Sequence, residues 1–198
     1  ERGNGQMTNT IRVLHTVGWL GLGGLEGGVV KSVNNLDRDC FSLFVVALRG
    51  SDSYGISALK PDVKFAGFKK KEGRDWSIVQ KLADYFSDHQ VDIVHSHNWE
   101  TWLYSFLAAR RARVPVFIHG EHGRDTEQVV DGWLKKEVKV LLARHCDHLI
   151  TVSQDIADLM SARWGVSPGK ITVIPNGIDL ARFHDRKSVG RGKSGSPV

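Results

Sequence analysis

Apolar residues in this chain gather into short runs at 11–17, 41–48, 63–68, 92–95, 114–119, 148–152 and 171–174, rich in Val, Ile, Leu and Phe. Runs of this length and composition mark strands buried on both faces. Between them the spacing turns helical. Trp76, Val79, Leu82, Ala83 and Phe86 recur every three or four positions behind Asp75, a side chain suited to capping. Trp99, Trp102, Leu103, Phe106 and Leu107 predict a second helix with Asn98 as its cap. Trp133, Leu134, Val138, Leu141 and Leu142 predict a third, and Ile156, Leu159, Met160 and Trp164 a fourth behind Ser153. These aromatic stripes are expected in the core. Strands alternating with helices predict an α/β fold, a doubly wound parallel sheet with helices on both faces.

The 198 residues are enough for one principal domain. Its body spans 11–183. Residues 1–10 are polar and Gly-containing and read as a disordered leader. Residues 184–198 hold Lys, Arg, Gly, Ser and Pro with little that is apolar, and read as a disordered or non-native tail. No apolar run reaches the roughly 20 residues of a membrane span, and no signal pattern opens the chain, which predicts a cytoplasmic protein. Cys40 and Cys146 lie far apart in no metal-like or redox spacing, and are expected as reduced, mostly buried thiols.

The net charge of +5 is unevenly placed. Residues 182–198 carry five basic side chains against Asp185, leaving only +1 for residues 1–181. A nearly neutral body without a basic stripe excludes nucleic acid as a partner.

Gly18, Gly21, Gly23, Gly24, Gly27 and Gly28 follow the first strand, and Val29, Val30, Val33 and Leu36 then recur at helical spacing. A glycine turn opening a helix presents backbone N–H groups at a positive dipole end, a setting for an anion or a closely approaching ligand. A Walker-type loop is excluded because Val29 and Val30 stand where Lys and Ser or Thr are needed. A dinucleotide fingerprint beginning at Gly21 and Gly23 fails at Glu26, and Leu48 and Arg49 close the second strand where an acidic residue would hold a ribose.

Histidines cluster where strands should end: His95 and His97 after the fourth, His119 and His122 after the fifth. Carboxyl ends of parallel strands form the ligand crevice, so these residues and the glycine loop should share one rim. A metal centre needs a convergent ligand set. His95 and His97 can share a face, but His119 and His122, three apart, point to opposite ones. Glu121 is the one carboxylate near them and completes no evident four-ligand set, so no metal is expected. His145 and His148 read as residues of a helix-to-strand junction.

The ordered motifs resemble glycosyltransferase family 4. They are Ile11-Arg12-Val13-Leu14-His15 with Gly23-Gly24-Leu25-Glu26-Gly27, then Asp92-Ile93-Val94-His95-Ser96-His97-Asn98-Trp99, His119-Gly120-Glu121-His122-Gly123-Arg124-Asp125, Thr151-Val152-Ser153 and Val173-Ile174-Pro175-Asn176-Gly177-Ile178-Asp179. They cover residues 11–183, and the doubled His-Gly segment resembles a subgroup tied to exopolysaccharide and PEP-CTERM export. The resemblance implies a Rossmann-like acceptor-side domain, the N-terminal half of a GT-B architecture whose donor domain is absent here. It implies a retaining hexosyl transfer from a nucleotide-sugar donor, a substrate rather than a cofactor, to a glycan or lipid-linked acceptor. Peripheral association of the parent enzyme with the inner face of a membrane is compatible with it. His122, or alternatively His119, is then the active-site histidine. Gly23 and Gly24 approach the donor diphosphate, and His97, Asn98, Glu121, Arg124, Ser153 and Asn176 contribute to substrate binding. The family's pair of donor-domain glutamates, seven residues apart, has no counterpart, so the chain alone is expected to be inactive. The competing readings are a Rossmann-like nucleotide- or glycan-binding module without catalysis, and a metal-dependent hydrolase built on the histidines. Trp19 or Trp99 could stack on a sugar.

Overall fold

The computed structural model describes residues 10–21, 23–123 and 132–177. Seven strands, β1 (Ile11–Val17), β2 (Phe41–Ala47), β3 (Lys64–Gly67), β4 (Ile93–His97), β5 (Val116–Glu121), β6 (His148–Thr151) and β7 (Ile171–Val173), pair in the order β3-β2-β1-β4-β5-β6-β7. Every pairing is parallel. The connections carry α1 (Gly24–Asn35), α2 (Ser53–Ser57), α3 (Ser77–Asp88), α4 (Asn98–Arg111), α5 (Trp133–His145) and α6 (Gln154–Trp164), with a 3-10 turn at Pro168–Lys170 before β7. This is the doubly wound Rossmann-like sheet expected. The chain builds outward from β1 to β3, returns through α3 to lay β4 beside β1, and then builds the opposite way. At that reversal neighbouring crossovers diverge and leave a crevice beyond the carboxyl ends of β1 and β4.

Alternation along the strands divides the core. Leu14, Phe44, Val46, Val94, Phe117 and Leu149 turn to one face, where side chains of α3 through α6, among them Phe86, Trp102, Leu142 and Met160, bury them. Val13, Val17, Leu43, Val45 and Ala47 turn to the other, against Val29 and Val33 of α1. At the amino end of the sheet, Arg12 holds Asp92 through Nε–Oδ2 at 2.9 Å and Nη2–Oδ1 at 3.0 Å, coupling β1 to β4. The guanidinium keeps the Asp92 carboxyl below its ordinary range.

Local chemistry sets the helix ends. Asp75 accepts the Ser77 N–H at 3.2 Å and the Ser77 hydroxyl at 2.6 Å, which starts α3 as expected. Ser153 Oγ accepts the Ile156 N–H at 3.4 Å to start α6, and Gly165, at φ +64°, ends it in the left-handed conformation that favours glycine.

Four expectations are corrected. β4 and β5 each run two residues further, so His97 and Glu121 are terminal strand residues and not loop residues. The aromatic stripes are only partly core: Trp133 is 74% exposed and Trp76 55%, and Leu134 and Leu141 are exposed too. Helical spacing reveals which residues share a side, and α5 instead buries Lys139, Leu142 and Ala143. Cys40 is exposed in the turn before β2, whereas Cys146 is buried and accepts a 3.3 Å contact from Trp102 Nε1. Asn98 does not cap α4, which it joins with φ +59° while His97 occupies the cap position. Among the described residues, no helix is long and apolar enough to cross a membrane.

Burial raises the Cys146 thiol to about 12, while the exposed Cys40 thiol is raised by the neighbouring Asp37 carboxylate. Native protein treated with an aromatic disulfide reagent should therefore release one thiol equivalent, and the second only after denaturation. Rapid release of both without denaturant would contradict this packing.

Candidate active site

The carboxyl rim of the sheet gathers most of the residues singled out from the sequence. Gly23 and Gly24 follow β1, His97 and Asn98 close β4 and open α4, Glu121 ends β5 with His122 directly after it, Ser153 follows β6 and Asn176 follows β7. Because all seven strands are parallel, these positions lie along one edge. Arg124 lies outside the described residues.

The two ends of α1 and α4 face this edge differently. Gly23 is the N-cap of α1 in extended conformation, and a side chain there would run into the Glu26 carboxylate of the first turn. At Gly24 a Cβ would meet nothing within 4 Å, so the backbone there stays open to an approaching group. Gly18 is pressed by Glu100, whose carboxylate takes Arg49 Nε at 2.8 Å.

β4 sorts the histidines between the faces of the sheet. His95 and His97 project on the α1 side, beside His15 of β1, which pairs in register with His95. His15 Nδ1 lies 2.9 Å from His97 Nε2, and His97 Nδ1 lies 2.8 Å from His122 Nε2. Gly120 permits this crowding: a Cβ on it would stand 2.9 Å from His122 Nε2, 3.0 Å from His95 Nε2 and 3.2 Å from His97 Nδ1. The His122 backbone is held as well, its N–H donating to Asn98 Oδ1 at 3.2 Å. That contact gives the left-handed Asn98 a purpose, since the short amide side chain is among the few that tolerate a positive φ. At the other end of the turn, the Thr101 hydroxyl accepts the His97 N–H at 3.0 Å and donates to the His97 carbonyl at 2.8 Å.

Burial keeps these rings uncharged. The His15 imidazole is lowered to about 4 by loss of solvation, with the neighbouring His122 adding to it. Loss of solvation also drives His95 and His97 well below the ordinary value, as do the imidazoles around them. His122 is lowered by burial first and by His119 second, against the opposing pull of Glu121. A neutral imidazole has one donor and one acceptor, so His97 can donate to only one of His15 and His122 and must accept from the other. The tautomers of all three are therefore locked together.

His119 sits on the opposite face. It has no exposed surface, stacks on Trp102 with ring centroids 3.6 Å apart, and shares a 2.9 Å hydrogen bond between Nδ1 and Ser96 Oγ. Glu121 is buried on that same side, its Oε2 3.7 Å from His119 Nε2. Burial, followed by the Lys139 charge, holds His119 neutral, so this is a close approach and not an ion pair. Of the two histidines proposed for the active site, His122 is the one at the rim and His119 is a core side chain. Trp99 is half-buried with the Lys135 and Lys139 ammonium groups over its ring, whereas Trp19 is 40% exposed after β1. Sequence reasoning missed His15. The signal was available, since a doubly wound order sets β1 beside β4 and brings the fifth residue of one against the third of the other.

Residues 22–182 match the profile of Glycosyltransferase Family 4. The chain belongs to that family. Over 117 residues it is 31% identical to the Escherichia coli UDP-Gal:alpha-D-GlcNAc-diphosphoundecaprenol alpha-1,3-galactosyltransferase, covering 56% of this chain and 29% of that enzyme. Over 183 residues it is 24% identical to the D-inositol 3-phosphate glycosyltransferase of Actinosynnema mirum, covering 81% of this chain and 44% of the other. This family 4 chain thus spans less than half the length of these curated relatives. Its fold matches a Rickettsia africae glycosyltransferase with a TM-score of 0.70 at 17% identity, over 88% of this chain and 45% of that one. It also matches Anabaena HepE, solved with UDP and glucose, with a TM-score of 0.61 at 19% identity, over 86% and 46% respectively.

The buried neutral His119 has a consequence for stability. Unfolded, it gains a proton near pH 6.5; folded, it stays neutral well below that, so the unfolded state binds more protons and stability falls as pH drops through this interval. Replacing His119 with Gln should flatten the decline by up to about 1.4 kcal/mol per pH unit, read from urea unfolding at pH 7, 6 and 5. An unaltered slope would mean that the ring is charged in the fold.

Proposed function

We propose that this domain is the N-terminal, acceptor-binding half of a retaining glycosyltransferase, which moves a hexosyl group from a nucleotide sugar to a glycan or lipid-linked acceptor. The observation that carries the reading is the meeting of His122, His97 and Asn98 at the end of β4 and β5, on the same rim as the open backbone at Gly24. The nucleotide sugar is a substrate, and no cofactor enters the reaction. A lipid-linked acceptor is supported by the E. coli relative, whose name specifies a diphosphoundecaprenol-linked sugar. The doubled His-Gly segment favours a role in exopolysaccharide assembly.

His122 acts at the transferred sugar. Its Nε2 is engaged by His97, so Nδ1 is the ring atom that would meet a sugar hydroxyl. Held neutral, the ring donates or accepts one hydrogen bond in a fixed direction and adds no charge to the oxocarbenium-like transition state. Asn98 fixes the backbone that carries the ring, so the contribution is one of orientation. Gly23 and Gly24 let the N-terminus of α1 approach the donor diphosphate, where backbone N–H groups meet the charge of the departing group. Ser153 and Asn176, further along the rim, and Arg124 contribute to acceptor or donor binding, whereas Glu121, expected there too, is buried beside His119 on the opposite face. Peripheral membrane association of the parent enzyme is supported by Trp133 and Leu134, exposed at the start of α5 beside Lys135 and Lys136.

In the full-length parent enzyme, His122→Ala should lower kcat by about 10²–10³, the scale of losing one oriented hydrogen bond at a transition state, with circular dichroism unchanged. The isolated chain should turn over no sugar nucleotide. Full activity of the His122→Ala enzyme, or robust turnover by the isolated chain, would overturn the reading.

A further inference from the structure

The imidazole cluster on the α1 side of the sheet is more crowded than a sugar contact needs. One ring at the rim would serve, yet His15, His95 and His97 lie behind His122 with one ligand nitrogen from each within 4.8 Å of the others. His95 Nε2 is buried and has no hydrogen-bond partner. A buried imidazole nitrogen left unpaired is destabilising, and such orphans in native folds point to an ion or water that completes them. The space beside this nitrogen is kept clear by Gly120, where a Cβ would stand within 3.2 Å of nitrogens from His95, His97 and His122.

We propose that His15, His95 and His97 hold a divalent transition-metal ion, with a fourth coordination position left to solvent. Three features support it. The rings come from adjacent strands in fixed register, His15 opposite His95 and His97 two residues on, so the backbone presents them to one another without a loop to order. The donor set is all imidazole with no carboxylate, which selects Zn²⁺, Co²⁺, Ni²⁺ or Cu²⁺ and disfavours Mg²⁺ and Ca²⁺, ions that require oxygen. The orphaned His95 Nε2 gains the partner it lacks.

On binding, His97 gives one of its two imidazole contacts to the ion, which then forms a rigid node joining β1 and β4. Its role is to fix the rim, and transfer is not routed through it. The expectation of no metal weighed His95, His97, His119, His122 and Glu121 without His15, the added member on β1. The proposal stands independently of the transferase reading, because it concerns binding by the chain itself.

The test is a titration of tag-free chain, stripped with chelator and dialysed, with Co²⁺ followed by Zn²⁺ competition. The expected result is one cobalt per chain with the intense visible bands of a four-coordinate, nitrogen-rich site, bleached by zinc. His95→Ala and His15→Asn should each weaken binding by more than about 100-fold, beyond the range for loss of a supporting outer residue. Gly120→Ala, which keeps every ligand but fills the space between them, should also weaken it. His148→Ala, on the sheet but hydrogen-bonded to Thr172 and outside the cluster, should bind as the parent does. Circular dichroism checks folding, and if His95→Ala unfolds, His15→Asn and Gly120→Ala decide. Only weak pink octahedral spectra, or tight binding that survives both His15→Asn and Gly120→Ala, would overturn the proposal and assign the orphan nitrogen to water.

Discussion

Strand β4, wedged between β1 and β5 in a fully parallel sheet, dictates where every imidazole of the rim can point. Its alternation sends His95 and His97 to one face and Ser96 to the other. The register then determines neighbours: His15 falls beside His95, His119 beside Ser96 and Gly120 beside His97. A shift of one residue would exchange the two sets, placing His95 and His97 in the apolar core and Ser96 at the crevice. The hydrophobic alternation that buries Leu14 and Val94 against α3 and α4 therefore also sets the chemistry of the opposite face. Core packing and site geometry are two readings of one register.

The two faces treat the same residue type in different ways. On the helix-rich face, His119 is a flat packing element, stacked on Trp102 and closed off by Ser96. On the α1 face, His15, His97 and His122 are linked through their nitrogens, and their value lies in direction. Both environments remove water and disfavour charge, so the difference is in hydrogen-bond partners and not in protonation. Motif spacing sends His119 and His122, three apart, to opposite faces but does not say which of them reaches the rim; the register of β5 beside β4 decides that.

Much of the architecture was legible because apolar runs, helical spacing and turn residues agreed. All seven strands were placed to within a few residues, and Asp75 and Ser153 start helices as their side chains predict. The failures have physical causes. β4 and β5 extend into polar residues since parallel pairing continues through His97 and Glu121 regardless of side-chain hydropathy. Trp76 and Trp133 share a helical stripe with buried residues yet lie at helix starts, beyond the reach of the sheet. Asn98 resembles a cap by type, but its side chain turns toward the neighbouring strand and holds His122. His15 was passed over because nothing in its own segment marks it; its neighbours are supplied by β4, 80 residues along the chain from the sheet's first strand.

Asn98 has a last implication. Its left-handed backbone and its bond to the His122 amide place two requirements on one position, conformational and chemical. Glycine would meet the first and fail the second, whereas glutamine would reach an amide partner but resist the positive φ. Sequence drift at this site therefore meets a bottleneck that neighbouring Trp99 and Glu100 escape. Variation along the rim is accordingly more accessible outside the corner where β4 passes into α4.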